Sequence, residues 1–262
     1  MKKRIYVILS MVLMAITFAG CDIEVGFNKK YKNGSNAKGD VNESISIDGV
    51  EKINLDISIA DIEVEVTEGN EIKVTRTCKG NNFGELSVSK DGDTINIIED
   101  EVHYSFGGFE QENQLKVQIP ELYNGDMFIS NGIGDCDIKK LDLNNVNIEC
   151  GVGDFEVENG NYNKLTLEQG TGDADILLGY CGNIEIRGGV GDLQIQLESV
   201  NGDLVLEGGV GDVDIFIPDD SPVYFNTSSG VGECNINAIT SGENKYLFDL
   251  TTGVGDIDIN SR

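Results

Sequence analysis

The sequence predicts an all-β protein: a single-stranded parallel β-solenoid, or β-helix, of about seven to eight rungs of 19–23 residues, behind an irregular N-terminal β section. Three observations support this fold class. A glycine phrase, GVGD in four of its copies, recurs at a nearly constant interval. Apolar and polar residues alternate on both sides of the phrase, which indicates strands. Each copy is too short to bury its apolar side chains alone, so the copies must stack.

The interval is measured from the first glycine of each copy, which we call position 0. Successive first glycines lie 19, 19, 19, 20, 21 and 23 residues apart. They are Gly132, Gly151, Gly170, Gly189, Gly209, Gly230 and Gly253. Intervals of this size are typical of solenoid repeats, in which each copy contacts its neighbours. We therefore expect the copies within residues 129–262 to stack in chain order, about 4.8 Å apart.

Two positions after the glycines are apolar in every copy. Position +4 holds Cys136, Phe155, Ala174, Leu193, Val213, Cys234 and Ile257, and position +6 holds Ile138, Val157, Ile176, Ile195, Ile215, Ile236 and Ile259. Positions −5 and −3 are also apolar, apart from Thr227 in the sixth copy. These side chains are predicted to form the core. Because strand side chains alternate, counting in steps of two from positions −5 and −3 predicts that positions −1 and +1 also face inward. After the bend the even-numbered positions +4 and +6 face inward instead, so the glycines must turn the chain between them.

Residues 44–128 are predicted to be an irregular N-terminal part of the same solenoid. The segment 53–66, INLDISIADIEVEV, fits the repeat with Ser58 at position 0, so that Ser58 and Ala60 replace the two glycines. The period is then lost until Met127. The residues between are predicted to form strands at 71–77 and 115–120, a hairpin at 85–98 and an exposed loop at 102–113.

Residues 1–20 are predicted to be an export signal. MKKR is a basic start, and the 16 apolar residues that follow are too few for a spanning helix. The ending TFAGC resembles the lipoprotein box in which the cysteine, here Cys21, becomes lipid-modified, although Phe18 stands where that box usually has Leu. An ordinary signal peptide with an incidental cysteine is the alternative. We expect an extracytoplasmic protein, lipid-anchored to the cell membrane, with residues 21–43 as a flexible tether.

The composition restricts the classes of ligand. The chain of 262 residues has 19 Lys and Arg against 46 Asp and Glu, a formal charge of −27. Such a charge disfavours nucleic acid, and it favours cations, basic envelope proteins or cationic peptides as partners. His103 is the only histidine, which leaves no basis for histidine catalysis or a multi-histidine metal site. The composition does not indicate an oligomeric state.

Acidic side chains recur at two positions that face away from the predicted core. Position +3 holds Asp135, Asp154, Asp173, Asp192, Asp212, Glu233 and Asp256, and position +5 holds Asp137, Glu156, Asp175, Gln194, Asp214, Asn235 and Asp258. Carboxylates about 4.8 Å apart repel each other. Either backbone N–H groups of the glycine bend relieve this repulsion as turn caps, or a cation does, with Ca²⁺ the best match. The calcium β-roll has its acids at other places and a shorter period, so its sites are not transferred, and no other cofactor is expected.

The cysteines do not indicate a metal or disulfide framework. Besides Cys21 there are five, an odd number, and no C-x-x-C occurs. Cys136 and Cys234 share a position but lie about 24 Å apart in the predicted stack, which is too far for a disulfide. These two and Cys150 are predicted to be core residues. The remaining pair, Cys78 and Cys181, is left undecided.

Enzymatic activity is not expected. The carboxylates recur on every copy, whereas a catalytic pair should be singular. Arg187 is a basic residue at position −2 of its copy, a position that holds Glu, Ser or Thr in the other glycine copies. A salt bridge to Glu168 or Glu207 on a neighbouring copy explains its presence.

The export signal with its lipoprotein box, the strand repeat, the VQIP segment and the Gly-x-Gly-Asp copies together resemble the bacterial putative-adhesin domains of unknown function, also called β-strand-repeat or toast-rack-like domains. The likeness covers about residues 45–262. It implies a β-helical extracytoplasmic domain, tied in some members to adhesion and in others to envelope-stress systems. We therefore expect a non-enzymatic cell-surface lipoprotein that acts as an adhesin-like binding or scaffolding module. The alternatives are an envelope-stress accessory protein that contacts a membrane sensor, and a calcium-stabilised β-solenoid.

Overall fold

The computed structural model describes residues 34–37, 39–80, 83–100 and 112–262. In these ranges the chain forms strands, turns and bends, and no helix there is long and apolar enough to cross a membrane. The all-β class predicted from the sequence is confirmed. The predicted export signal, Cys21, most of the predicted tether and residues 102–111 of the predicted loop lie outside the described residues.

Twenty strands make up one continuous sheet. They are β1 (Gly34–Ala37), β2 (Val41–Ser46), β3 (Lys52–Ile59), β4 (Asp61–Thr67), β5 (Glu71–Lys79), β6 (Leu86–Asp91), β7 (Thr94–Glu99), β8 (Glu112–Pro120), β9 (Asp126–Ile133), β10 (Cys136–Lys139), β11 (Asp142–Val152), β12 (Phe155–Thr171), β13 (Ala174–Val190), β14 (Leu193–Leu197), β15 (Leu204–Val210), β16 (Val213–Ile217), β17 (Val223–Val231), β18 (Cys234–Ile236), β19 (Tyr246–Val254) and β20 (Ile257–Ser261). The hairpin predicted at 85–98 is formed by β6 and β7.

Most strands fall into two parallel series, one on each side of the glycine bend. The pre-glycine series pairs in the order β3, β9, β11, β12, β13, β15, β19 and β17. The post-glycine series pairs in the order β4, β10, β12, β13, β14, β16, β20 and β18. Strands β12 and β13 belong to both series because each runs without interruption from one bend to the next. Equivalent positions of the repeat lie side by side, so the fold is β-solenoid-like.

The core consists of the predicted apolar positions of both series. In the middle of the stack, Leu165 and Leu167 precede one bend, and Phe155 and Val157 follow the bend before it. All four side chains are at most 1 % exposed. Burial of one such side chain contributes about 1.5–3 kcal/mol relative to its exposure. A single copy would leave these side chains in water, so stacking of neighbouring copies is the main source of stability.

The last two copies do not stack in chain order. Strand β19 pairs with β15 on one side and with β17 on the other, and β20 likewise separates β16 from β18. The copy of Gly253 is therefore inserted beneath the copy of Gly230, which is outermost. This corrects the expected order. It also corrects the predicted burial of Cys234 and Ile236, which are exposed because no strand of the described ranges covers them.

A second correction concerns position +1 at the bend. This position was predicted to face inward, yet its apolar side chains are 38–62 % exposed. They are Ile133, Val152, Val190, Val210, Val231 and Val254. Position −1 does face inward, as the buried side chains of Asn131 and Gln169 show. The inward side changes one step earlier than parity implies, because the glycine at position +2 turns the backbone with a positive φ, for example +144° at Gly153.

The N-terminal end of the stack is built mainly from antiparallel strands. Strand β5 lies antiparallel between β2 and β8, and β1 pairs antiparallel with β6. Strands β8 and β7 join this end to β4 and β3 in parallel. The apolar side chains of Val41, Ile72 and Leu86 are buried there. The core is therefore covered at this end.

The folded unit begins earlier than the predicted tether of residues 21–43 allows. Strand β1 and the start of β2 lie within that range, and their backbone groups pair with β6 and β5. Residues Lys32–Arg262 form one compact unit. All buried apolar side chains of the described residues lie between Val41 and Ile259. This unit thus contains its own complete hydrophobic core and is the part of the chain that we expect to fold alone.

Candidate functional site

Position +3 forms a continuous hydrogen-bonded ladder along the bend, which we call the corner column. In stacking order its members are Asp61, Asp135, Asp154, Asp173, Asp192, Asp212, Asp256 and Glu233. The backbone N–H of each member after the first donates to Oδ1 of the preceding aspartate, over 2.8–3.2 Å. Such charge-assisted bonds stabilise the carboxylates and offset their repulsion. All the predicted +3 side chains are exposed, so their second oxygens face solvent.

The length of the corner-column side chain matters because it must reach the next copy. Asp173, for example, accepts the N–H of Asp192 at 2.8 Å. Glu233 is the last member in the stack, and in the described part of the chain no backbone N–H donates to its carboxylate. The one longer side chain in the column therefore stands where no further copy has to be reached.

The bend itself requires glycine at position +2. Gly172 has a φ of +141°, a region that side-chain-bearing residues rarely adopt. A Cβ atom at Gly172 would also overlap the carbonyl oxygen of Gly153 in the preceding copy. The first copy differs, because Ala60 stands at this position without a positive φ. Close approach of backbones thus explains the glycines of the regular copies.

Position +1 adds a column of β-branched side chains beside the acids, which we call the valine column. In stacking order its members are Ile59, Ile133, Val152, Thr171, Val190, Val210, Val254 and Val231. β-Branching favours an extended backbone, which suits a residue held between two flexible glycines. The column leaves an exposed, mainly apolar strip on the surface, interrupted by Thr171, and exposed apolar patches can mark interaction sites.

Position +5 forms a third column, the strand column, on the outer side of the post-glycine strands. In stacking order its members are Glu63, Asp137, Glu156, Asp175, Gln194, Asp214, Asp258 and Asn235. Partial burial, with the charges of neighbouring carboxylates, raises the pKa of Asp137, Glu156 and Asp214 above its ordinary value. The ionised forms of these side chains are therefore disfavoured where they stand.

Only the N-terminal end of the strand column has lysine partners. The Nζ atoms of Lys139 and Lys116 lie 3.1 and 3.2 Å from the two carboxylate oxygens of Glu63. The hydrogen bond from Lys139, with that from Lys116, holds the pKa of Glu63 below its ordinary value. Among the described residues, no Lys or Arg forms an ion pair with the carboxylates from Glu156 onward. The corner column, the valine column and the strand column together form the surface that we call the corner face.

The described residues offer no built metal site. In those ranges, no group of three or more His, Cys, Asp or Glu side chains is placed to hold a metal ion. One oxygen of each corner-column aspartate that precedes another copy already accepts a backbone N–H. The bound-calcium alternative predicted from the sequence thus gains no geometric support in this part of the chain.

Arg187 forms the salt bridge that the sequence predicts. Its guanidinium lies 2.9 Å from Glu168 and 3.4 Å from Glu207, on the two neighbouring copies, and 3.1 Å from Glu185. All four side chains are at least one-third exposed, so solvent screens each pair and its contribution to stability is small. The arrangement is a cross-copy brace.

A buried polar cluster, which was not predicted from the sequence, lies beneath the first bend. The Arg76 guanidinium is 1 % exposed and lies 3.5 Å from Glu99, whose side chain is fully buried. Glu99 accepts hydrogen bonds from the Ile59 N–H and from the Asn113 amide, both at 3.0 Å. Burial raises the pKa of Glu99 despite these partners. Glu99 and Asn113 cap the first bend, where no earlier glycine copy supplies partners.

The five cysteines of the described residues are free thiols in three environments. Cys136, Cys150 and Cys181 are buried, Cys78 is half-buried and Cys234 is exposed. A hydrogen bond with Cys150, together with burial, raises the pKa of the Cys136 thiol well above its ordinary value. Burial raises the pKa of Cys181 to about 12. These buried thiols are packing residues, whereas Cys234 is accessible.

A shallow groove of about 580 Å³ lies on the side opposite the bend, where one copy leads into the next. It is lined by Asn124, Asp142, Leu143, Asn144, Asn161, Tyr162, Asn163 and Tyr180. Its amides form hydrogen bonds between copies: Asn161 donates to the Asp142 carboxylate at 2.6 Å, and Asn163 donates to the Asn144 amide oxygen at 2.8 Å. These cross-copy ladders give the groove a structural explanation.

Comparison with known families identifies the fold. The family model described as Toastrack DUF4097 matches residues 50–261. The chain belongs to the Toastrack DUF4097 family. The resemblance noted from the glycine copies is thus confirmed, and the match includes the copy built around Ser58. No curated protein matches this Toastrack chain.

Three solved structures show the range of similarity to this Toastrack domain. A putative cell adhesion protein from Clostridium sporogenes is 19% identical, with a TM-score of 0.46 over 88% of this chain and 100% of that chain. A putative adhesin from Bacteroides fragilis is 15% identical, with a TM-score of 0.47 over 85% and 98%. A putative lipid binding protein from Parabacteroides distasonis is 13% identical, with a TM-score of 0.41 over 88% and 97%. Similarity at this level provides no argument about function.

Proposed function

We propose that this Toastrack domain is a non-enzymatic, adhesin-like binding module whose corner face binds basic, partly apolar polypeptides. In this proposal the domain is a parallel β-solenoid of eight rungs. It lies at the cell surface and is anchored by lipid on Cys21. The supporting observation is a contrast within the strand column: Glu63 has lysine partners, whereas the column's carboxylates from Glu156 onward form no ion pair with any described Lys or Arg.

The electrostatic part of the argument follows from that contrast. Lys139 and Lys116 lower the pKa of Glu63, whereas Glu156 and Asp214, which accept no hydrogen bond from a described Lys or Arg, have raised pKa values. A Lys or Arg side chain of a partner would stabilise the ionised form of these carboxylates in the way that Lys139 stabilises Glu63. Each exposed pair contributes about 0.2–1 kcal/mol, so several pairs are needed for useful affinity.

The valine column defines the second requirement on the partner. It runs parallel to the two acidic columns, and its Ile and Val members after Ile59 are 38–62 % exposed. A polypeptide that places aliphatic groups on this strip and basic groups on the carboxylates would satisfy both surfaces. The formal charge of −27 would attract such a partner from a distance, at a rate that falls as salt increases.

The test is a titration of the unit Lys32–Arg262 with a synthetic peptide of alternating Lys and Val. A peptide of alternating Lys and Ser tests the apolar contribution, and a peptide of alternating Glu and Val tests the charge contribution. We expect the Lys–Val peptide to bind most tightly, and its affinity to fall with added salt. In the double variant Glu156→Gln, Asp175→Asn the affinity should fall about fivefold, since each exposed pair contributes about 0.5 kcal/mol.

The matched control is Glu121→Gln, Glu243→Gln, which removes the same charge from exposed acids outside the corner face. If both double variants weaken binding equally, the peptide responds to net charge alone and the proposed site is wrong. Equal binding of the Glu–Val peptide would also contradict the proposal.

A further inference from the structure

The outer end of the stack is formed by the copy of Gly230, residues 223–240, which we call the terminal copy. Its strand β17 pairs with β19, and its strand β18 pairs with β20. Among the described residues, no strand pairs with the other edge of either. Backbone N–H and C=O groups along such an edge can pair with a further strand.

The terminal copy also leaves the end of the hydrophobic core uncovered. Ile236 is 46 % exposed, whereas Ile259, which pairs with it in the copy beneath, is fully buried. Phe225 is half-buried, whereas its neighbour Phe248 is fully buried. Cys234 is exposed at a position that is buried in every other copy. The apolar core positions thus continue to the end of the stack, but there no further strand of the described residues covers their side chains.

The terminal copy is nearly uncharged in a strongly acidic chain. Residues 223–240 contain one charged side chain, Glu233, whereas residues 246–262 of the copy beneath contain four. Natural edge strands are usually protected by Lys, Pro or other charges. Strands β17 and β18 contain none of these protecting residues. The end of the stack is therefore the surface where a second copy of this acidic chain meets the least repulsion.

The size of this end is sufficient for weak, specific association. A strand of nine residues spans about 30 Å, and two packed sheets with their side chains are about 20 Å thick. The end face is then about 600 Å² per copy. Two such faces would bury about 1,200 Å², which is at the lower limit of stable interfaces.

We propose that two copies of this chain associate end to end through their terminal copies. The contact is isologous: β17 and β18 of one molecule meet β17 and β18 of the other, which covers Ile236 and Phe225 in both. The same patch is used on both sides, as in a two-fold dimer. The N-terminal ends do not take part, because their apolar side chains, such as Leu86, are already buried.

The test is the mass of the unit Lys32–Arg262 by analytical ultracentrifugation between about 1 and 200 μM, the range in which an interface of this size should associate. We expect a reversible rise to the mass of two copies. Ile236→Glu, which places a charge on each of the two facing surfaces, should raise the dissociation constant at least tenfold. Leu122→Glu makes the same charge change at a side chain that is 76 % exposed and lies away from the terminal copy, and should leave the dissociation constant unchanged.

A second measurement uses the unaltered sequence, so its result does not depend on whether a variant folds. Alkylation of the exposed Cys234 should slow as concentration rises through the association range, whereas alkylation of the half-buried Cys78 should not change. A single-copy mass at all concentrations would overturn the proposal. Association with no effect of Ile236→Glu and no protection of Cys234 would overturn it as well, because the copies would then meet elsewhere.

Discussion

The two ends of the strand stack handle charge and exposed edges in different ways. At the N-terminal end, Lys116 and Lys139 pair with the strand-column acid Glu63, a buried Arg76–Glu99 pair supports the first bend, and antiparallel strands cover the core. At the C-terminal end, no described lysine or arginine pairs with the strand column, and the core positions are exposed at Ile236. The regular copies instead rely on backbone hydrogen bonds to the corner column. The comparison shows that regular stacking and neutralised charge are separate properties of this fold.

The largest expected effect distinguishes the glycine bends of the regular copies from the first bend. Gly172→Ala should destabilise the unit by about 3 kcal/mol or more, because it combines a positive φ with overlap on the carbonyl of Gly153. Ala60→Gly, at the equivalent place in the first copy, should cost only about 1 kcal/mol, through lost burial and added chain entropy. Urea unfolding of both variants measures the difference. Equal losses would mean that the two bends have the same backbone requirement.

A smaller effect distinguishes the middle of the corner column from its end. Asp173→Ala removes the acceptor of the Asp192 N–H and should cost about 1 kcal/mol. Glu233→Ala removes a carboxylate with no such donor among the described residues, and should change stability by less than about 0.5 kcal/mol. Asp173→Asn keeps an acceptor oxygen and should recover most of the loss. If Asp173→Ala were harmless, the ladder would be a consequence of stacking and not a contribution to it.

The smallest expected effect is a gain of stability in mild acid. Asp137, Glu156 and Asp214 have raised pKa values in the folded state, so folding is favoured when they are protonated. This contribution is fully present below their unfolded values, about 4, and is lost as pH rises through the raised folded values. Glu63, with its lowered pKa, acts in the opposite direction. The melting temperature should therefore rise by about 2 °C as pH falls from 8 towards 4, a small shift because these side chains are largely solvated.

High salt should reduce this pH difference, because it screens the carboxylates from one another. A melting temperature that falls steadily from pH 8 towards pH 4 would show that the strand column is already neutralised in the free protein. The proposal of an external basic partner would then lose its electrostatic reason.

The repeat columns could be predicted from the sequence because each is set by the two-residue period of a strand. Burial of Ile176, Ile195 and the other core positions follows from that period alone. The order of the last two copies does not, because parity gives the same columns for any order of stacking. The signals that could have revealed the order are Thr227 at a core position and the near absence of charge in residues 223–240.

The remaining differences also have local physical causes. The inward side changes at position +1 because a glycine φ, which the sequence does not reveal, decides where the bend begins. The buried Arg76 could have been suspected, because it continues the inward alternation of Ile72 and Val74. Its partner Glu99, and the Asn113 amide that donates to Glu99, could not, since they come from separate strands of the irregular section. Long-range pairing of that kind is not encoded in a local period.

Amide hydrogen exchange of the unit Lys32–Arg262 tests the stacking order most directly. Measured at low micromolar concentration, β19 should be protected at nearly every amide, because it has a strand on each side. About half of the amides of β17 should exchange quickly, since those on its outer edge have no strand partner in the described part of the chain. Protection of β17 on both sides, with fast exchange in β19, would mean that the copies stack in chain order and would contradict the terminal position of residues 223–240.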